Sequence, residues 1–293
     1  MEKHKLKRFA VVGGDLRQIS LANHLAQSGF SVTALGFDDS SPFSPLVTVA
    51  QHPHCLSSMD VVIFPLPVTS EPNIVNAPFF QEPLPLDQCL RRIPHKAAVF
   101  GGKISPQEAA VAQGLGLAME DYLHREEMAV LNAVPTAEGA IELAMNELPV
   151  TLWRSRCLIT GFGRVGKVLA PMLLALGAQV TVAARKEADL AWAKVIGCQT
   201  ARLKNLAQAA KGQDVIYNTV PSLLFNEETL KYLEPSCLLI DLASKPGGVD
   251  MEAAKNLGIR TIWALSIPGK VAPITAADII KDTILNMLEE RSK

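Results

Sequence analysis

The sequence predicts an α/β protein with two doubly wound, parallel-sheet domains on either side of a cleft. The chain has 293 residues, of which 48% are hydrophobic and 19% are charged, and this length suits two domains with separate cores. An apolar run that ends at glycine and then takes up helical spacing occurs at residues 8–27 and again at 156–176. A glycine and a further apolar run follow each helix. Strands that alternate with helices in this way form parallel sheets.

The first half contains five predicted strands. The opening strand ends at the glycines of residues 13–14, and a helix is predicted over 16–27. The other predicted strands lie at 29–35, 60–64, 96–100 and 116–119. Residues 65–85 contain six prolines, which predicts a long irregular loop of the kind that binds or covers ligands.

The second half repeats this alternation. Its second glycine turn is followed by a predicted helix at 167–176 and by predicted strands at 177–183, 214–218, 237–241 and 260–264. Residues 125–147 have helical spacing that breaks near Pro135, and they join the two halves. Residues 275–289 form an amphipathic stripe, and the sequence leaves open which domain this helix packs against. The predicted boundaries are a first domain at 1–130, a connector helix at 131–150, a second domain at 151–274 and a terminal helix at 275–293.

The charge pattern excludes several classes of partner. There are 28 Lys and Arg residues against 29 Asp and Glu, a net charge of -1, whereas a nucleic-acid-binding protein needs a basic face. The apolar stretch 168–184 carries no charge, but it is shorter than the roughly 20 residues of a membrane span. The N-terminus does not have the pattern of a secretory signal. We expect a cytoplasmic protein that binds neither nucleic acid nor membrane.

The five cysteines predict neither a disulfide framework nor a metal site. They are scattered and never form a C-x-x-C pair. His52 and His54 stand beside Cys55, but no ligand spacing extends this cluster onto a helix, and a polar loop is the favoured interpretation.

Residues 161–166 read GFGRVG, directly after a predicted strand and at the start of a helix. In this motif Gly161 permits the tight turn, Gly163 lets the backbone approach a pyrophosphate, and Gly166 lets the helix pack closely on the strand. Phosphates then lie at the positive end of the helix. The motif in this setting predicts a Rossmann-type dinucleotide-binding domain, and the alternative is a glycine-rich structural turn.

The end of the next strand favours NADP(H) over NAD(H). An NAD-binding domain usually carries an acid there to bond the ribose 2′-hydroxyl. This chain has Ala184, Arg185 and Lys186 instead, with no acid before Glu187. Two cations suit a 2′-phosphate.

Loops after the later strands complete the predicted cofactor site, because the carboxyl ends of parallel strands line the ligand crevice. Pro221 and the glycines at 247–248 have an equal alternative as simple turns. The predicted cofactor contacts are Gly161, Phe162, Gly163, Arg164, Val165, Gly166, Ala184, Arg185, Lys186, Asn218, Thr219, Val220, Pro221 and Asp241.

The first domain carries candidate substrate groups. Residues 13–18, GGDLRQ, form a turn without the third glycine. Asp15 is a helix N-cap in one interpretation; in the other, backbone N–H groups and Arg17 hold a carboxylate. Lys103 follows two glycines and is a candidate substrate clamp or proton shuttle, with a solvated loop lysine as the alternative.

Glu138 is the second candidate catalytic residue, at a point where the connector helix is expected to restart; the alternative is a favourable acid in a first helical turn. No nucleophile elbow or phosphate-binding Walker loop occurs. The predicted substrate contacts are Gly14, Asp15, Arg17, Ser105, Thr136 and Lys245.

Six motifs, taken together, resemble those of a known protein family. They occur in this order along the chain: GGDLRQ (13–18), NAVPTAEG (132–139), GFGRVG (161–166), NTVPS (218–222), LASKPGG (242–248) and IPGKVAP (267–273). Together they resemble the A subunits of the dipicolinate synthases of endospore-forming bacteria.

The resemblance implies an NADP-dependent oxidoreductase that works in the mother cell during sporulation with a flavoprotein-like partner, the B subunit of dipicolinate synthase. Its substrate is dihydrodipicolinate or a hydroxy-tetrahydro precursor, and its product is pyridine-2,6-dicarboxylate. The implied fold is similar to that of formate and glycerate dehydrogenases, with a flavodoxin-like first domain. No histidine follows His124, which disfavours the His–acid chemistry of 2-hydroxyacid dehydrogenases.

Two other functions remain open at this point. One is a non-catalytic, NADP-binding regulatory role, and the other is a stand-alone NADP-dependent dehydrogenase of another small carboxylate. Homo-oligomer formation is also left open.

Overall fold

A computed structural model of the protein describes residues 7–38 and 41–291. The chain divides into two compact units, unit 1 with Met1–Leu131 and Ala272–Lys293, and unit 2 with Asn132–Val271. Among the described residues no helix has both the length and the apolar character needed to span a membrane.

The part of unit 1 that the structure describes begins with eight strands and four helices. Its strands are β1 (Arg8–Val12), β2 (Ser31–Leu35), β3 (Val47–Ala50), β4 (Val61–Ile63), β5 (Thr69–Glu71), β6 (Ile74–Val75), β7 (Ala98–Gly101) and β8 (Met119–Asp121). Its first helices are α1 (Leu16–Gln27), α2 (Leu86–Leu90), α3 (Pro106–Gly114) and α4 (Glu126–Leu131).

The main sheet of unit 1 is parallel, with the strand order β3-β2-β1-β4-β7-β8. Its two faces are both buried: Phe9 and Val11 pack into one core cluster, and Ala10 and Val12 pack into another. The predicted doubly wound parallel sheet is therefore confirmed. The order follows the dinucleotide-binding arrangement rather than the flavodoxin arrangement, because the chain adds two strands on one side of β1 before crossing to the other side.

Three predictions for unit 1 need correction. Residues 65–85 are not wholly irregular, because β5 and β6 pair as an antiparallel hairpin. Strand β8 lies three residues later than predicted, since Gly116 has a φ of 72° and ends the turn after α3. Strand β3 was not predicted, and its short Val-Thr-Val-Ala sequence lies at the sheet edge.

Unit 2 has six strands and seven helices. Its strands are β9 (Arg156–Thr160), β10 (Gln179–Ala184), β11 (Gln199–Arg202), β12 (Val215–Asn218), β13 (Leu238–Asp241) and β14 (Arg260–Trp263). Its helices are α5 (Ala133–Glu147), α6 (Arg164–Ala175), α7 (Glu187–Val195), α8 (Leu206–Ala210), α9 (Glu227–Leu230), α10 (Met251–Asn256) and α11 (Ile267–Val271).

The sheet of unit 2 repeats the topology of unit 1. All neighbours are parallel, in the order β11-β10-β9-β12-β13-β14. Cys157 and Ile159 face one core cluster, and Leu158 faces the other. Edge strand β11 was not predicted. The connector helix breaks at Asn132 rather than at Pro135, because Pro135 is the third residue of α5, where its missing N–H costs no helical hydrogen bond.

The last helix, α12 (Pro273–Glu290), belongs to unit 1 and packs against α1. Its apolar stripe, including Ile280 and Ile284, enters the core cluster that contains Phe9. Arg125 reinforces this packing through a bidentate pair with Glu290 at 2.7 and 2.8 Å. Residues 292–293 of the predicted terminal helix lie outside the described residues.

Candidate functional site

The glycine turn of unit 2 joins β9 to α6 as the motif predicts. Gly161 has a φ of 88°, and a Cβ there would lie 2.5 Å from Thr219 Oγ1. A Cβ on Gly166 would lie 2.6 Å from the Gly161 carbonyl oxygen. Both glycines are therefore required by the packing of the protein itself.

Gly163 differs from these two glycines. It is the N-cap of α6 and is exposed, no side chain caps the helix, and a Cβ at Gly163 would meet no atom within 4 Å. Since the first N–H groups of a helix need acceptors from outside, the turn presents a positive helix end beside open space. This arrangement fits the pyrophosphate of a dinucleotide.

A buried polar network ties together the carboxyl ends of β9, β12 and β13. Thr160 Oγ1 donates to Asn218 Oδ1 at 2.6 Å, and Asn218 Nδ2 donates to Asp241 Oδ1 at 2.8 Å. All three side chains are at most 1% exposed. The Asn218 and Asp241 side chains, predicted as cofactor contacts, are therefore turned inward in this structure, where they position loops.

Asp241 holds the loop at residues 242–248. Its Oδ1 accepts from Ala243 N at 3.1 Å, and its Oδ2 accepts from Gly248 N at 2.8 Å. Lys245, at the tip of this loop, is exposed. The carboxylate thus anchors a loop that presents a lysine side chain to solvent.

The loop after β12 lies against the glycine turn. Thr219 Oγ1 donates to the Thr160 carbonyl at 2.8 Å, and Val220 lies close to Gly161. Pro221 is exposed, and Phe162 is buried beside the turn. The structure therefore places the predicted cofactor contacts that follow β9 next to those that follow β12.

Cations follow β10 at the same edge of the sheet. Ala184 is buried at the strand end, whereas Arg185 and Lys186 are exposed, and within the described ranges neither pairs with an acid. Glu187 pairs with Arg202, whose Nε lies 2.9 Å from Glu187 Oε1. Arg202 was not predicted as a site residue, because β11 itself was not predicted.

In unit 1, Asp15 and Arg17 bind each other. Asp15 is the N-cap of α1 and accepts from the backbone of Arg17 at 3.0 Å. Arg17 is only 6% exposed, and its guanidinium donates to both Asp15 carboxylate oxygens and to the Leu66 carbonyl. Gly14 N donates to Asn76 O at 2.7 Å. The N-cap interpretation is confirmed. In this conformation the Gly14 N–H and the Arg17 Nε and Nη2 groups donate to protein acceptors, and the anion-binding role of this turn stays a prediction.

Lys103 is held in an unusual backbone conformation. Its φ is 58°, a left-handed value that is uncommon outside glycine. Asp121, at the end of β8, accepts from the N–H groups of Lys103, Ile104 and Leu123 at 3.1, 2.8 and 2.8 Å. The Lys103 side chain is exposed. Asp121 was not predicted as a site residue, although an Asp directly after an apolar run is a recognisable turn signal.

Tyr122 packs beneath this loop. It is fully buried, its hydroxyl donates to Phe64 O at 3.3 Å, and burial raises the pKa of this phenol well above its usual range. A Cβ on Gly102 would lie 2.8 Å from the Tyr122 ring and from Leu66 Cβ. The loops after β4, β7 and β8 are therefore packed into one rigid edge.

The remaining predicted residues lie in helices or at their ends. Ser105 caps α3 in a reciprocal capping box with Glu108. The Thr136 hydroxyl donates to Asn132 O at 2.7 Å within the helix. Glu138 is exposed in the second turn of α5, not in the first, and lines a shallow groove with Met172. The Ser105 and Thr136 hydroxyls therefore have structural partners, and Glu138 lies on an exposed helix face.

Among the described residues, no group of three His, Cys, Asp or Glu side chains could hold a metal ion.

Comparisons with known proteins agree with this geometry. The model of the N-terminal domain of the dipicolinate synthase A subunit matches residues 8–123, and the model of the D-isomer specific 2-hydroxyacid dehydrogenase, NAD binding domain, matches residues 133–253. The chain is therefore built on a dehydrogenase-type, nicotinamide-cofactor-binding fold.

Individual relatives cover nearly the whole chain. The dipicolinate synthase A subunit of Bacillus subtilis (strain 168) is 32% identical over 97% of this chain and 96% of its own length. The crystal structure of the dipicolinate synthase A subunit of Bacillus halodurans superposes with a TM-score of 0.90 at 29% identity, covering 96% of this chain and 97% of that one. The crystal structure of the Bacillus subtilis A chain superposes with a TM-score of 0.88 at 30% identity, covering 98% of this chain and 97% of that one. The chain belongs to the family of dipicolinate synthase A subunits.

Proposed function

We propose that the protein oxidises dihydrodipicolinate, or its hydroxy-tetrahydro precursor after loss of water, to pyridine-2,6-dicarboxylate with NADP as the hydride acceptor. In this proposal it acts with a flavoprotein-like B subunit in the cytoplasm of the sporulating mother cell. The observation that carries the proposal is Gly163, where a helix N-terminus without a side-chain cap meets open space.

The residues of the glycine turn fit the cofactor. The backbone at 161–166 holds the pyrophosphate at the start of α6. Arg185 and Lys186 bind the 2′-phosphate, since both are exposed cations at the end of β10. The nicotinamide, when bound, accepts a hydride from the substrate ring.

The protein itself contributes mainly positioning. Loss of a hydride and a proton from a dihydropyridine ring creates an aromatic ring, so the chemical step is strongly favourable and does not require a powerful general base. The proton leaves to water or to a nearby base.

Lys103 in unit 1 and Lys245 in unit 2 are each proposed separately as a ligand of a substrate carboxylate. Lys103 and Lys245 are both exposed, and both lie on loops that a buried or nearly buried aspartate anchors, Asp121 for the first and Asp241 for the second. A rigid loop reduces the entropy that is lost when a lysine side chain binds an anion. Arg17 is not among these proposed ligands, because its Nε and Nη2 groups donate to Asp15 in this conformation.

The test is reconstitution with the partner protein, the synthetic substrate and NADP. We expect NADPH formation, followed by its near-ultraviolet absorbance, to parallel the appearance of pyridine-2,6-dicarboxylate. The proposal is wrong if NADPH does not form, whether or not pyridine-2,6-dicarboxylate appears.

A variant then separates a catalytic from a regulatory cofactor. Gly163→Ala places a methyl group where no protein atom lies, so the fold should be kept while NADPH binding weakens. Gly114→Ala is the matched control, because its Cβ also meets no atom within 4 Å. Turnover that persists after Gly163→Ala has abolished cofactor binding would favour a non-catalytic role for the nucleotide.

A further inference from the structure

We propose that Arg202 is a specificity-determining residue that selects the 2′-phosphorylated dinucleotide, an inference that rests on the proposed NADP dependence. Arg202 is the last residue of β11 and pairs in register with Ala184, the last residue of β10. Adjacent strands lie about 4.8 Å apart. Arg202 therefore lies at the sheet edge beside the two exposed cations that follow Ala184.

The partner of Arg202 is the first acid that follows the glycine motif. Glu187 begins α7, three residues after Ala184, so it lies beyond the strand end where an NAD-binding domain usually carries the acid for the ribose 2′-hydroxyl. Here Glu187 Oε1 lies 2.9 Å from Arg202 Nε. The pairing occupies the carboxylate and offsets its repulsion of an incoming phosphate.

The local charge balance then favours a dianion. The three cations Arg185, Lys186 and Arg202 outnumber the two acids in the first turn of α7, Glu187 and Asp189, so this end of the sheet carries an excess of positive charge. Arg202 and Glu187 have side chains that are 57% and 68% exposed, and an ion pair this exposed adds little to folding. Breaking the pair should therefore change which dinucleotide binds, with little change in the free energy of unfolding.

The experiment titrates the full-length protein with NADPH and with NADH and follows nucleotide fluorescence, which needs neither substrate nor partner. We expect Arg202→Gln to weaken NADPH binding about tenfold or more, the usual effect of losing a hydrogen bond to a charged group. NADH binding should be unchanged or tighter, because Glu187 is released. Arg202→Lys should restore part of the preference, and Glu187→Gln should keep or increase it.

Arg260→Gln is the matched control. Arg260 begins β14 at the opposite, amino-terminal edge of the same sheet and is similarly exposed, in a long pair with Glu147. This variant should not change the ratio of the two affinities. If Arg202→Gln leaves that ratio unchanged, or weakens both dinucleotides equally, the proposed role of Arg202 is refuted while the NADP assignment stands. If the unmodified protein binds NADH more tightly than NADPH, both are refuted.

Discussion

Replacing Asp241 by asparagine tests whether one buried carboxylate organises the loop at 242–248. The carboxylate is 1% exposed and accepts from Asn218 Nδ2, Ala243 N and Gly248 N at 2.8, 3.1 and 2.8 Å. An amide has only one acceptor oxygen. The least costly rotamer keeps the oxygen at the Oδ1 position, where two donors meet, and turns the NH₂ group toward the Gly248 N–H.

The expected cost follows from these contacts. Asp241→Asn loses one charge-assisted hydrogen bond and leaves one buried donor without an acceptor, which together amount to about 2–4 kcal/mol of unfolding free energy. Asp214→Asn is the matched control at the other end of the sheet. The Asp214 side chain is 33% exposed and water can replace its partners, so its loss should cost about 1 kcal/mol or less.

The assay combines urea unfolding with amide hydrogen exchange. Asp241→Asn should speed exchange at Gly248 much more than at Leu242, whose N–H donates to the Asn218 carbonyl at 2.8 Å and does not depend on the carboxylate. The reasoning is refuted if Asp241→Asn costs no more than Asp214→Asn and exchange at Gly248 is unchanged.

Three further outcomes are expected. Lys103→Gly should raise stability by about 1 kcal/mol, since glycine adopts a φ of 58° without strain, yet weaken binding of pyridine-2,6-dicarboxylate in calorimetry; unchanged binding would exclude Lys103 as a ligand. Gly166→Ala should lower the melting temperature through a cost of about 1–3 kcal/mol, because the new Cβ lies 2.6 Å from the Gly161 carbonyl; a neutral effect would contradict the close packing. Burial raises the pKa of the Cys89 and Cys237 thiols to about 12, above the unfolded value of about 8.5. Their contribution to stability is therefore present below about pH 8.5 and is lost as pH rises toward about 12; alanine variants at both sites should show a shallower alkaline decline in urea titrations.

Local spacing predicted most of the central strands and the helix that follows each glycine turn, α1 and α6. Residues 8–27 and 156–176 alternate apolar character with the periods of strand and helix, and such periods are set by near neighbours. The edge strands β3 and β11 were missed because their short, half-polar sequences become strands only when a neighbouring strand supplies hydrogen bonds. The hairpin β5–β6 was missed because prolines dominate its flanks.

For the candidate site, the sequence identified which polar residues lie at the strand ends better than it identified what their side chains bind. Asp15, Arg17, Asn218 and Asp241 were expected to face ligands, but their side chains bind one another or the backbone of the protein. Polar residues after a strand look alike in sequence whether they point outward or inward. Partners distant in sequence, such as Leu66 for Arg17, decide between these orientations.

The sequence by itself determined the alternation of strands and helices, the dinucleotide-binding glycine turn and the absence of an acid directly after β10. These depend on residues close together in the chain, where spacing alone sets periodicity and turn geometry. Tertiary structure decided that α12 packs on unit 1, that Asp121 and Asp241 anchor the two lysine loops, and that Arg202 reaches Glu187. Strand order and side-chain burial depend on contacts between segments that are distant in the chain, and the spacing of residues along the sequence does not specify those contacts.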